Sequence, residues 1–253
     1  MTALLTTLLL AAPPASDEAG LAVAHAADAA DRGWKTESAT AVMHIQQPNG
    51  RSEQRAFVLI HAEPKSGEPG EKTRITITEP ARHRGLKVLT RSHPTGQDDV
   101  YVYFPRRQRT RRIVGRKRSG RFLGSELTYE DLGSRKSHRY THQLLREETT
   151  DGQVWKVVAT FPRDPDTGYG RVVLWRKPGT WEIGRVEYYG LDKTTLVKVG
   201  HFSEYRRFGA FSRPGRYVVE NSQTGRRTTI EFSDRKFGVP LDDELFTVGG
   251  LTR

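Results

Sequence analysis

Few residues of this chain have types and spacings that could do chemistry. His138 and His142 stand four apart, the spacing of paired metal ligands on a helix; on a strand they would lie about 13 Å apart, too far to share an ion. His83 and His93 flank an apolar run with no acidic partner at useful spacing. Glu126, Glu130 and Asp131 could pair as general acid and base, but carboxylates beside an arginine cluster are far more often simple ion pairs. There is no Gly-x-Ser-x-Gly elbow, phosphate-cradling glycine loop or His-Glu-x-x-His. With no cysteine, a thiol nucleophile, a disulfide framework and thiolate metal ligands are excluded together. The expectation is a protein that is not an enzyme and has no catalytic residue, metal or cofactor.

The densest chemical signal is cationic. Arg106, Arg107, Arg109, Arg111, Arg112, Arg116, Lys117, Arg118 and Arg121 put nine positive charges into sixteen residues with no acid between them. In a chain of net charge +11 such a run reads as an anion-binding or partner-binding edge, for lipid headgroups or an acidic protein. Each cation near an anionic bilayer adds about 1 kcal/mol. Aromatic residues do not interleave with the run, so nucleic acid ranks behind lipid or protein. A solvated turn accounts for the same residues.

The elements that must position these groups are mostly strands. An Ala-rich stretch over 17–32, with Ser16 or Asp17 as N-cap and Gly33 as stop, predicts one helix that packs by small side chains. From Ser38 the period becomes two, as in Ala41, Met43 and Ile45 against Val42, His44 and Gln46. Similar runs lie at 55–62, 74–78, 85–90, 100–104, 138–147, 154–161, 170–176, 181–189, 195–205, 216–220 and 227–232, separated by Gly, Pro, Asn and Asp turns. About a dozen strands on short links predict a mainly β, antiparallel meander in one domain, without helices for parallel crossovers. A sheet of that size must close, split or curl, and the pattern alone allows a sandwich as readily as a curled sheet. Residues 240–246 predict a short helical or turn segment with Asp242 near its start.

The apolar run 4–12, followed by Pro13-Pro14-Ala15-Ser16, has the length of a secretory leader over 1–16 and is too short to span a bilayer. No basic residue precedes it, so the start is expected slightly upstream. A buried N-terminal helix is the other reading. Trp34, Trp155, Trp175, Trp181, Phe57, Phe104, Phe122, Phe161, Tyr188 and Tyr189 mostly alternate along strands and are expected to share one interior, either a packed core or a ligand cavity.

Residues 80–132 carry an ordered set of motifs: Arg84-Gly85 at a strand start, Tyr103-x-Pro105 at a strand end, Arg111-Arg112-Ile113, and Gly124-Ser125-Glu126-x-x-Tyr129-Glu130-Asp131-Leu132. This order resembles the outer-membrane lipoprotein-sorting family, the LolA-like proteins, and the likeness extends over roughly 17–251. The resemblance implies an unclosed antiparallel half-barrel wrapped around a few short helices. It also implies a periplasmic carrier that takes lipid or lipoprotein acyl chains toward the outer membrane. Its partners would be lipid or acylated lipoprotein, an inner-membrane transporter and an outer-membrane acceptor, with the protein peripheral to the membrane. The alternative is a non-catalytic accessory subunit of an inner-membrane exporter that docks through the arginine-rich turn. Expected lipid-cavity or lid residues are Leu86, Val88, Tyr101, Tyr103, Phe122, Leu123, Leu127, Trp155, Val157, Trp175, Trp181 and Tyr188. Arg84, Gly85, Pro105, Gly124, Ser125, Tyr129, Glu130 and Asp131 are expected to hold the motif together, with Ser125 capping a short helix to Leu132. The chain departs from the family pattern at Leu123, where Met is common, and at Arg106-Arg107, where an Ala-Leu pair is common.

Overall fold

The computed structural model describes residues 13–68, 70–133 and 135–253; the apolar run 4–12 of the expected leader lies outside them. One α-helix, α1 (Glu18–Ala30), is followed by fifteen strands: β1 (Thr36–Gln46), β2 (Ser52–Ala62), β3 (Lys72–Glu79), β4 (Lys87–Arg91), β5 (Asp99–Phe104), β6 (Arg109–Ile113), β7 (Tyr140–Thr150), β8 (Gln153–Pro162), β9 (Arg171–Arg176), β10 (Ile183–Tyr189), β11 (Leu196–Ser203), β12 (Arg206–Phe208), β13 (Phe211–Arg213), β14 (Arg216–Asn221) and β15 (Arg227–Phe237). Thirteen of them form one antiparallel sheet in the order β6-β5-β4-β3-β2-β1-β15-β14-β11-β10-β9-β8-β7, and β12 and β13 form a separate hairpin.

The order records two meanders joined back to back along β1 and β15, where Met43 faces Ile230 and Ala41 faces Phe232. The sheet is therefore unclosed, with β6 and β7 as its edges. This topology has a consequence for the chain between them. The chain leaves the sheet at β6 and re-enters it at β7, and Phe122 and Leu127 of this connection pack on the concave side of the sheet. The large core lies on that side: Met43, Phe57, Ile77, Val88, Val102, Leu174, Tyr188 and Val219 pack with Phe122 and Leu127 of the crossing segment.

Polar contacts bring the two edges together at one rim. Arg139 pairs with Asp98, and Arg118 with Asp164. Gln97 Nε2 donates to Asp166 at 2.5 Å. Helix α1 lies over β7 and β8. Its N-cap Asp17 accepts from Gly20 N at 2.5 Å and from Leu144 N of β7 at 3.1 Å, which fixes the helix start to the edge strand. Gly20 is required there, because a Cβ would stand 2.8 Å from the Gln143 backbone.

The convex side also carries apolar clusters, and here the sequence expectation needs correction. Tyr101 and Tyr103 alternate with inward Val100 and Val102, so they point outward, where Leu89 and the C-terminal Leu245, Phe246 and Leu251 cover them. Val157 and Trp175 pack outward with Trp155, Ala159 and Phe161. Arg146 and Arg185 lie over the Trp175 ring, whose Nε1 donates to Glu148 at 2.6 Å. The aromatic residues do not share one interior, because β5, β8 and β9 bury both faces.

Two further local differences appear. The arginine run is partly a strand, β6, rather than a turn. Ser125 caps no helix: its Oγ donates to Phe122 O at 2.7 Å and accepts from Leu127 N at 3.2 Å, and the segment makes 3-10 turns over Phe122–Gly124 and Glu130–Leu132. The end of the chain makes the expected short turn, Asp243–Phe246, with Asp242 accepting from Glu244 N at 2.9 Å. Among the described residues no helix is long and apolar enough to cross a membrane.

Candidate functional site

The concave side is not completely filled. A cavity of about 300 Å³ remains between the sheet and the crossing segment, within the size range of ligand pockets. Phe57 and Leu59 of β2 and Ile75 of β3 form one wall; Phe202, Ile230 and Phe232 of β11 and β15 form another. Phe122, Leu127 and Leu132 close it from the crossing segment. The sheet residues share a face because they follow in register: Phe57 pairs with Ala41 and with Ile77, and Leu59 with Ile75.

The crossing segment is fastened from below by buried charge. Asp131 accepts from Lys198 Nζ at 2.5 Å and from Thr128 N at 2.7 Å, and Tyr169 donates to it at 3.2 Å. Burial alone would raise the Asp131 carboxyl, but Lys198 and Arg135 outweigh it and hold the group below the usual carboxylate range. Glu126 accepts from Arg226 Nε at 2.7 Å and Asn221 Nδ2 at 2.9 Å, while Lys198 also donates to the Glu126 carbonyl. Glu130 accepts from Gly168 N at 2.9 Å and from Thr167, yet burial still raises its pKa. These acids are structural fasteners. Arg84-Gly85 and Pro105 serve the neighbouring turn: Gly85 has φ +78°, and a Cβ on it would touch the Pro105 ring. Gly124 turns the segment at φ +79°, and Tyr129 stands edge-on to Phe122.

Charge also borders the open end of the cavity. Glu37 accepts from Arg235 at 2.6 Å and from Arg213 at 3.2 Å, and Arg213 reaches Asp31, the C-cap of α1, at 2.8 Å. Arg135 donates to the Tyr188 hydroxyl at 2.6 Å, and burial pushes that phenol up to about 12. Beyond this border lies a second, polar chamber of about 320 Å³. Both spaces are lined by His61, Arg135, Phe202, Arg213 and Pro214. Among the described residues no group of three His, Asp or Glu side chains converges as a metal site would require.

Of the residues singled out by sequence, Phe122, Leu127 and Tyr188 line the apolar cavity. Leu86 and Val88 lie in the packed part of the same core, with Leu123 against it. Trp181 lines the polar chamber instead. Tyr101, Tyr103, Trp155, Val157 and Trp175 are on the opposite face. Arg106, Arg107, Arg109, Arg111, Arg112 and Arg116 are exposed along β6 and its flanks. Arg112 pairs with Asp99, whereas buried Arg118 belongs to the rim. Phe57, expected in an interior that is either core or cavity, lines the cavity, whereas Leu59, Ile75, Phe202, Ile230 and Phe232 were missed as cavity residues. Glu37, Arg176 and Arg235 were missed too. Their signal was a charge at an apolar position, as in Val172, Leu174, Arg176.

A family model described as "uncharacterized protein" matches residues 70–253. Among solved structures, the chain is similar to a domain from Vibrio parahaemolyticus described as an outer membrane lipoprotein-sorting protein domain. The identity is 32%, the match covers 93% of this chain and 99% of that one, and the TM-score is 0.89. A DUF1329 family protein from Desulfovibrio piger matches at 28% identity and TM-score 0.87, over 94% of this chain and 100% of that one. A LolA superfamily protein from Nitrosomonas europaea, at 21% identity and TM-score 0.71 over 90% and 97% of the two chains, shares the fold. Among curated proteins no match is found.

Proposed function

The chain belongs to the outer-membrane lipoprotein-sorting family of LolA-like proteins, and from that premise we propose that it is an exported, periplasmic carrier of acyl chains. The cargo is lipid or acylated lipoprotein, received from an inner-membrane transporter and passed to an outer-membrane acceptor. The chain acts by binding rather than by catalysis, with residues 1–16 as its leader and 17–253 as one half-barrel domain.

The observation that carries this reading is the apolar cavity of about 300 Å³ left between an unclosed sheet and a segment fastened across it. Each methylene sheltered there is worth about 0.8 kcal/mol, so ten of them give roughly 8 kcal/mol. The entropy of association consumes about 4–15 kcal/mol. One chain in the cavity therefore holds modestly, which suits a carrier that must release its load. A multi-chain anchor would require the crossing segment, with Phe122, Leu127 and Leu132, to move outward.

A second reading, an accessory subunit that docks on an inner-membrane exporter, draws on a separate observation. Among the described residues, Arg106, Arg107, Arg109, Arg111 and Arg116 are exposed and have no carboxylate within ion-pair distance. Protein purified from its own envelope should carry stoichiometric lipid or acylated protein by native and lipid mass spectrometry. Protein that arrives empty, and stays empty when offered phospholipid and diacylated peptide, overturns the carrier reading in favour of the second.

A further inference from the structure

The polar chamber beyond the cavity contains a cation that the protein does not neutralise locally. Arg135, Lys136, Arg176 and Arg213 all line it. Three of them are engaged with carboxylates: Arg135 with Asp131 at 3.6 Å, Lys136 with Glu71 at 2.8 Å, and Arg213 with Asp31 at 2.8 Å. Arg176 is different. Among the described residues no carboxylate lies within 4.0 Å of it, and its hydrogen bond is from Nη1 to the Trp181 carbonyl at 3.0 Å. The Tyr205 hydroxyl, Asp28 and Asp31 act on it without an ion pair, and Arg135 opposes it with like charge. Asp28 is itself engaged by Ser137 N at 2.9 Å. Tyr205 accepts from Ile183 N at 3.1 Å and donates to Ile183 O at 3.0 Å, so its hydroxyl is also occupied.

The placement of Arg176 is specified by the strand. It follows Val172 and Leu174 on the inward face of β9, where the pattern calls for an apolar side chain. Arg176 is half-buried there without a close counter-ion, which is costly, and the desolvation lowers its affinity for its proton. A planar fork with free donors is also the side chain best suited to grip a carboxylate or phosphate.

We propose that Arg176 anchors the head of the carried amphiphile, and that this head is anionic, a carboxylate or a phosphate. The tail runs past Phe202, which lines both spaces, into the apolar cavity between Leu59 and Phe232. Arg135, at the shared border, lies on the path between head and tail. This inference rests on the acyl-carrier reading and adds the head chemistry to it.

Equilibrium dialysis with labelled fourteen-carbon amphiphiles below their micelle concentrations tests it. The probes are tetradecanoate, tetradecyl phosphate, tetradecanol and tetradecyltrimethylammonium, which share a tail and differ in head. The wild-type protein should favour one or both anions over the alcohol by at least about tenfold, and disfavour the cation; the stronger anion identifies carboxylate or phosphate as the preferred head. In Arg176→Gln that preference should fall below about threefold with the alcohol affinity unchanged, and Arg176→Lys should restore part of it. Equal binding of all four heads by the wild-type protein overturns the inference and leaves the acyl reading standing, whether or not the variants fold. Undiminished anion preference in a folded Arg176→Gln overturns it as well. If no probe binds at all, the acyl reading falls and takes the inference with it.

Discussion

At one end of the concave face Lys198, Asp131, Glu126, Arg226 and Asn221 surround the crossing segment; at the other, Glu37, His61, Arg176 and Arg235 stand on the sheet, with Arg213 leaning in from the β12–β13 hairpin. Lys198 in the first group, and Glu37, Arg176 and Arg235 in the second, place charge where a period-two strand would bury an apolar side chain. At the first end every charge has a short-range partner, and the Lys198, Asp131 and Glu126 side chains are almost wholly buried, with Arg226 closing the group from a half-buried position. At the second end two chambers remain open and one cation lacks a close acid. A half-barrel cannot be greasy throughout and still hold a loop in one position. The sealed network supplies that position, because buried polar partners are specific in direction as apolar contacts are not. The open end keeps its polar groups within reach of a guest.

The largest expected effect comes from breaking the sealed end. Lys198→Ala takes the nearest cation from buried Asp131 and the donor from the Glu126 carbonyl, and should destabilise the fold by about 3–5 kcal/mol, read by urea denaturation. Lys198→Met is expected to cost about as much, since Asp131 would remain charged with only the more distant Arg135 opposite it at 3.6 Å, whereas Lys198→Met with Asp131→Leu should recover part of the loss. A loss below about 1 kcal/mol in the single variant would place this network with ordinary surface pairs.

At the open end the corresponding probe is pH. Glu71 lines the polar chamber and pairs with Lys136 at 2.8 Å and His61 at 3.5 Å. Burial opposes its ionisation, but these partners prevail and hold its carboxyl at about 2. Because the folded-state value lies below the unfolded one, the contribution is present above about pH 4.5 and is lost as pH falls toward 2. It amounts to at most about 3 kcal/mol. Glu71→Gln should flatten the acid dependence of stability over that window; an unchanged slope would show that the chamber's ion pairs are too wet to matter.

A pair of enlargements separates hollow from filled. Val219 is fully buried beside the sealed end, whereas Leu59 lines the cavity. Val219→Trp should cost about 1–3 kcal/mol or more through overpacking. Leu59→Trp should cost under about 1 kcal/mol while lowering acyl binding at least tenfold. Equal costs at the two positions would mean that the cavity is closed by motion of its walls.

Which side a residue faces was the hardest thing to read from sequence. The helix 17–32, the strand succession and the closing turn at Asp242 all follow from local signals: a cap, a period, a run of turn residues. The inward face does not, wherever both faces of a strand are buried. Val100-Tyr101-Val102-Tyr103 is apolar throughout, because the C-terminal Phe246 and Leu251 cover its outer face, and that long-range contact leaves no trace in the strand itself. Trp155, Val157 and Trp175 mislead for the same reason. Conversely, β6 was hidden because arginine occupies both of its faces. The cavity residues Phe57, Leu59 and Ile75 were legible as strand positions, but their being hollow depends on what the crossing segment fails to fill.

The smallest expected effect lies on β6, outside both ends. Arg109 and Arg111 face Phe104 and Val102 across the edge pair, so they stand on the concave side of the sheet's margin. The Arg111 guanidinium lies over the Phe104 ring at 5.9 Å. Charged edge strands discourage unwanted pairing with other chains, and exposed charges contribute little to stability. Arg109→Glu with Arg111→Glu should therefore change stability by no more than about 0.5 kcal/mol and leave the head preference of the open end intact. Capture of an inner-membrane partner by cross-linking in cells should collapse if this margin docks there. If capture and acyl loading both persist, the arginines serve only to keep the edge solvated, and recognition belongs to the cavity end alone.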